Sequence, residues 1–120
     1  MITLKKVRQR AEKDAKSHGY YLNPDSQFLE VLLKGLMQNE DRYGYPSCPN
    51  RLSTGKFEFD RDIICPCDYR EPDIKEYGYC YCALYVRKDV FEGKIPIHQI
   101  PDRRPTEKHL KDYTNPANTL

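Results

Sequence analysis

Two stretches of the chain repeat their apolar residues at helical spacing. In residues 3–18, Leu4, Val7, Ala11 and Ala15 recur at steps of three and four, which predicts a helix with a narrow apolar stripe. Gly19 follows as its expected stop. Lys5, Lys6, Arg8, Arg10, Lys13 and Lys16 share the other face with Glu12 and Asp14, and read as a solvated surface. Residues 24–43 carry the wider stripe, with Phe28, Leu29, Leu32, Leu33, Leu36 and Met37 on it and Val31 beside it. Asn23 is the expected cap, Pro24 suits the first helical position, and Gly44 closes the run. This face is expected to be the main core.

Beyond Tyr43 the periodicity weakens. Residues 57–64 suit a short helix capped by Asp60, and residues 71–77 another, opened by Pro72 and stopped by Gly78. Residues 83–86 are a short apolar run that periodicity cannot assign to helix or strand. From about residue 94 prolines multiply and apolar anchors thin out, so an extended surface tail is expected, with one short helix near 106–112. The expected fold is mainly α: one small domain of short helices and loops spanning residues 1–120, without internal repeats.

With 120 residues, 38% of them hydrophobic and 32% charged, the chain has a modest apolar core, and domains of this kind often rely on a metal, a cluster or disulfides. A net charge of +2 is too small to point to nucleic acid. No stretch approaches the length of a membrane span, and the basic N-terminus is not followed by a signal-peptide core, so a soluble cytoplasmic protein is expected.

The candidate staple lies in residues 48–82, which hold all five cysteines: Cys48, Cys65, Cys67, Cys80 and Cys82. In a reducing cytosol such clusters bind metal or carry redox chemistry more often than structural disulfides. A zinc site made of four cysteines is one alternative, but its knuckles usually place two or more residues between ligands. Here the pairs are Cys-x-Cys. An iron–sulfur cluster spreads its irons, so neighbouring cysteines can ligate different ones. Spacing favours iron–sulfur over zinc, and zinc over a disulfide or redox thiol set.

The segments YGYPSCPNRL, DIICPC and EYGYCYCALYV, in this order, resemble the catalytic (beta) chain of ferredoxin–thioredoxin reductase, most closely its archaeal and bacterial stand-alone relatives. The resemblance covers roughly the middle third of the chain. It implies a [4Fe-4S] cluster ligated by Cys48, Cys65, Cys67 and Cys80, with Cys82 as the redox thiol lying against it. It further implies a ferredoxin-like electron donor and a thioredoxin-like or small disulfide substrate. In that family a second, exposed cysteine attacks the target disulfide, and its partner thiol is held at the oxidised cluster until the second electron arrives. The matching position here is Asn50, which has no thiolate and can only hydrogen-bond. Tyr81 stands where the family usually has a proton-moving histidine, and a phenol with a pKa near ~10 replaces it poorly at neutral pH.

Three readings follow: a reductase lacking its nucleophile, a one-thiol centre built on Cys82, or a cluster that only transfers electrons or supports the fold. The reading adopted is a ferredoxin-dependent disulfide reductase-type oxidoreductase with compromised two-thiol chemistry. The alternative from another class is a structural or interaction module that binds zinc through four cysteines. The tyrosines around the motifs read as a cover that limits water. His18, His98 and His109 read as surface residues, with His98 able in principle to approach the site from the tail. Arg103 and Arg104 read as solvated charges, the sharper alternative being contact with an acidic ferredoxin.

Overall fold

The structure, a computed structural model, describes residues 2–108. Helix α1 runs Leu4–His18, opened by Thr3, whose hydroxyl accepts from the Lys6 amide at 3.2 Å, and closed by Gly19 in the left-handed region. Val7, Ala11 and Ala15 are its buried residues, as the stripe predicts. Helix α2 spans Ser26–Tyr43 and ends at Gly44. It starts two residues later than expected, because the Asp25 carboxylate is the cap and accepts from the Gln27 and Phe28 amides. Asn23 is buried instead, and its side chain donates to the Ala83 carbonyl at 2.9 Å.

The two helices pack through Val7, Ala11 and Ala15 against Leu29, Leu32, Leu33 and Leu36. Cys48, Cys80 and Cys82 belong to the same buried cluster, so the thiols are continuous with the core. Phe28 and Val31 are corrections to the expected stripe, at 41% and 63% exposure. Between the helices lies β1, Tyr21–Leu22, which pairs antiparallel with β2, Tyr85–Val86. The run at residues 83–86 is thus resolved in favour of a strand over its second half.

Helix α3, Phe57–Asp60, passes into a 3-10 turn over Arg61–Ile63, and α4 spans Arg70–Tyr77. Asp60 does not cap. It is fully buried, accepts from the Tyr45 hydroxyl and from the Thr54 and Gly55 amides, and so ties down the loop before α3. After a short α5, Lys88–Phe91, the chain runs without regular structure from Lys94 to Pro105 and turns helical over residues 106–108. The rest of the expected helix near 106–112, and His109, lie outside the described residues.

This extended segment is a strap, held at several points. Ile100 is buried with Tyr79, Ala83, Val86 and Val90. The Tyr79 hydroxyl donates to the His98 carbonyl at 3.0 Å and accepts from the His98 amide at 2.9 Å. Arg103 pairs with Asp73 and Glu76. Arg104 is buried and donates to Asp62 through Nε at 2.9 Å and to the Phe59 carbonyl at 2.8 Å. The expectation of a solvated charge is corrected for Arg104, which is buried, whereas Arg103 stays exposed while it pairs. Their charges are neutralised by carboxylates on the segments that the strap crosses.

Gly35 shows how closely α2 approaches the first cysteine turn. A Cβ there would lie 2.9 Å from Pro49 Cβ, a contact that a rigid ring cannot relieve by rotation. Gly35→Ala is expected to cost about 1–3 kcal/mol by overpacking, read from the denaturant midpoint, and to shift the Cys48–Asn50 turn. An unchanged midpoint would mean that the helix and the turn separate freely.

Candidate functional site

Three loops bring the cysteines together. The first two are zipped by backbone hydrogen bonds: Cys48 donates to the Ile63 carbonyl at 2.8 Å and Cys65 to the Pro46 carbonyl at 2.9 Å, around a Ser47–Ile64 bridge. The Cys65–Pro66 peptide is cis. The third loop is a tight turn in which the Ala83 amide donates to the Cys80 carbonyl at 2.8 Å. Ala83 holds the left-handed backbone at φ 63°, costly for a residue with a Cβ, and Asn23 pins its carbonyl.

All five cysteines line one narrow, tightly packed space, together with Arg51, Pro66, Arg70, Tyr81 and Tyr85. None forms a disulfide. Cys82 Sγ lies 3.9 Å from Cys80 Sγ, and Cys82 also hydrogen-bonds Cys48. Hydrogen bonding to these two thiols, reinforced by burial, drives the Cys82 pKa well above the ordinary thiol range. The same bond lowers Cys48 to about 7, against burial and helped by the charge of Arg51. Cys80 is likewise lowered, first by Cys82 and then by the amides of Tyr85 and Leu84. Burial lifts Cys65 far up, and lifts Cys67 to about 11 despite Arg51. Among the neighbouring thiols Cys48, Cys80 and Cys82, their mutual hydrogen bonding thus raises Cys82 and lowers the other two.

The available soft donors are the five cysteine sulfurs. Backbone amides point at three of them: Asn50 at Cys48, Tyr69 at Cys67, and Tyr85 at Cys80, the last at 3.3 Å. Such N–H···S bonds stabilise ligating thiolates and tune metal–sulfur centres. Two guanidinium groups, those of Arg51 and Arg70, stand in the wall. Among the described residues, no three His, Cys, Asp or Glu side chains converge on the position of a single ion. Cysteine sulfurs gathered around one space are the donor type that both iron–sulfur clusters and zinc take.

Cys82 faces a second space as well. An open groove is lined by Pro49, Asn50, Arg51, Tyr81, Cys82 and His98, with Phe28, Leu52 and Ile97 adding apolar surface. Arg51, Tyr81 and Cys82 line both spaces and therefore form the partition between them. Asn50 is exposed and lines the groove with Cys82.

A profile described as the ferredoxin thioredoxin reductase catalytic beta chain matches residues 2–103. The chain belongs to this family. A ferredoxin-thioredoxin reductase catalytic chain of Arabidopsis thaliana, designated chloroplastic, is 31% identical over 90% of this chain and 68% of its own length. That of Guillardia theta is 31% identical over 69% of this chain and 79% of its own. That of Cyanidium caldarium is 26% identical over 89% and 93%. The family membership read from the cysteine motifs is thereby established, and with it an oxidoreductase of the disulfide reductase class. No helix among the described residues is long and apolar enough to cross a membrane.

Sequence reasoning passed over the arginines. Arg51 is buried, with its guanidinium 4.4 Å from the Tyr81 ring centre and 5.2 Å from that of Tyr69. Arg70 is buried against Tyr20 and Tyr85 and donates to Asp14 and Glu71. The available signal was position, since each arginine stands three residues after a cysteine of the cluster. The tyrosine cover is only partial. Tyr81 and Tyr85 line the cavity, whereas Tyr43 and Tyr45 stack on each other away from it. His98 lines the groove, so the tail does bring it to the site's edge.

Proposed function

We propose that this chain is a ferredoxin-dependent disulfide reductase-type oxidoreductase whose thiol cavity holds a [4Fe-4S] cluster on Cys48, Cys65, Cys67 and Cys80. The observation that carries the reading is the position of Cys82. It is buried against two of the four candidate ligands and is also a wall of the open groove. When bound, the cluster would supply electrons one at a time next to that thiol. The chain's own residues do the rest. The N–H donors and Arg51 hold negative charge on the sulfurs, Tyr81 and Tyr85 limit water, and the groove admits the disulfide. Reducing one disulfide takes two electrons and two protons.

Asn50 changes how the groove works. A carboxamide cannot form a mixed disulfide, so Cys82 is the one candidate redox thiol there. Asn50 instead offers hydrogen bonds to a bound substrate, and its backbone amide serves Cys48. Tyr81 packs its ring on Arg51, and burial raises its hydroxyl pKa further, so it does not replace a histidine as a proton carrier near neutrality. The relatives' names carry ferredoxin and thioredoxin. The same classes of donor and target are proposed here, with a small disulfide as the other substrate class. Five free thiols suit a reducing compartment such as the cytoplasm.

The test is iron, sulfide and zinc content of anaerobically purified protein, with electron paramagnetic resonance before and after oxidation. About four irons and four sulfides per chain are expected for the cluster. The paramagnetic signal of the oxidised protein should change in Cys82→Ser. One zinc with no sulfide would replace this reading with a zinc module that has no redox activity.

A further inference from the structure

Two arginines line the thiol cavity, and they spend their donors differently. Arg70 turns Nε to Glu71 at 2.9 Å and Nη1 to Asp14, so its charge is met by two carboxylates. Arg51 points Nη1 at Cys67 Sγ, 3.5 Å away, and lines the same space as the other four thiols. Its side chain is 2% exposed. The rings of Tyr69 and Tyr81 flank the guanidinium, and Asp102 Oδ1 accepts from Nε at 3.1 Å and Nη2 at 2.9 Å. The backbone of Arg51 therefore belongs to the first cysteine turn, while its head is gripped by the C-terminal strap. Asp102 in turn accepts from the Arg104 amide at 3.0 Å, next to the buried Arg104–Asp62 pair.

We propose that Arg51, clamped by Asp102, sets the reduction potential of the metal–sulfur group held by these thiols, by fixing one positive charge against its Cys67 sulfur. The role rests on the cluster reading above. Reduction adds negative charge to a buried site, and a nearby cation favours the reduced state most where little water screens it. A guanidinium suits the task because it stays charged at every working pH and holds a planar, fixed geometry. Asp102 fixes that geometry and tempers the charge. Arg51 is a positioning and charge-setting residue; it does not itself gain or lose electrons.

The experiment is a redox titration of the cluster-loaded full chain, followed by electron paramagnetic resonance, with iron and sulfide assayed on each sample. Arg51→Met is expected to shift the oxidised–reduced equilibrium toward the oxidised form by at least about tenfold, which is about 59 mV downward for a one-electron couple. Arg51→Lys, which keeps the charge, should move it by less than about threefold on the same scale. Asp102→Asn keeps an acceptor for Arg51 but removes a negative charge, and should shift the equilibrium the other way. This second variant carries the test if Arg51→Met does not load. A loaded Arg51→Met with the wild-type potential, or a loaded Asp102→Asn whose potential does not rise, would overturn the proposal alone. Wild-type protein without iron and sulfide would overturn the cluster reading and this role with it.

Discussion

Asn50→Cys is expected to raise ferredoxin-driven reduction of a thioredoxin-type disulfide by at least about 10²-fold, a conservative figure beside what removing a nucleophile costs other covalent enzymes. Asn50 and Cys82 line the same groove, so the substitution places a second thiol where the first is reached. Asn50 is exposed, so the new thiolate can form without the burial penalty that Cys82 carries. The new thiol would attack the substrate disulfide and form a mixed disulfide with it, releasing one substrate thiolate that takes up a proton. Cys82 would then attack the mixed disulfide and pass its proton to the second substrate thiolate as that leaves, and two electrons and a further proton would reduce the protein disulfide so formed back to the starting thiolate and thiol. The assay is turnover with reduced ferredoxin, alongside iron and sulfide content. No gain in fully loaded protein would mean that position 50 is not the place of a missing nucleophile. The double variant Asn50→Cys, Cys82→Ser should lose the gain, which separates two-thiol chemistry from the mere presence of an exposed thiol.

Arg104→Ala is expected to destabilise the fold by about 3 kcal/mol, the lower end of what breaking a buried ion pair costs when the partner stays behind. Arg104 and Asp62 have side chains only 2% and 5% exposed. Asp62 keeps a hydrogen bond from the Tyr69 hydroxyl at 2.6 Å and the Lys108 ammonium at 3.7 Å, which is why the lower end applies. The pair also governs acid stability. Burial pushes the Asp62 carboxyl up, but Arg104 and Tyr69 outweigh it and hold the group below the usual carboxylate range. A depressed folded-state value contributes stability above the unfolded value of about 3.9, and this is lost as pH falls through the lower folded value. With Arg104 gone, burial dominates and the sign reverses, so the variant should begin to unfold at a higher pH than the wild type. Denaturant midpoints at pH 7 and pH 4 measure both effects. A midpoint loss below about 1 kcal/mol would mean that the strap is held elsewhere.

The strap follows the extended course expected from the sequence, and only its buried Arg104 departs from that reading. Helices α1 and α2 are legible because their stripes and glycine stops are local, repeated and written along one short stretch of chain. The error at the start of α2 is local too. Asn23 and Asp25 are both good caps, and the choice fell to Asp25 because Asn23 is needed to pin Ala83 in a turn 60 residues away. Phe28 and Val31 have the composition of a core but stay exposed, and Phe28 lines the groove beside the cysteine loops.

Cysteine spacing marked out one thiol site, and the order of its three motifs pointed to the family, because short loops and ligand order are properties of neighbouring residues. The arginines were illegible for the opposite reason. Arg51 meets Asp102 across 51 residues, Arg104 meets Asp62 across 42, and Arg70 meets Asp14 across 56. An arginine in a polar loop looks the same in sequence whether water or a carboxylate surrounds it. Folding alone brings the partner into hydrogen-bond contact and removes the water, and a charge that would be screened at the surface becomes a fixed part of the thiol site.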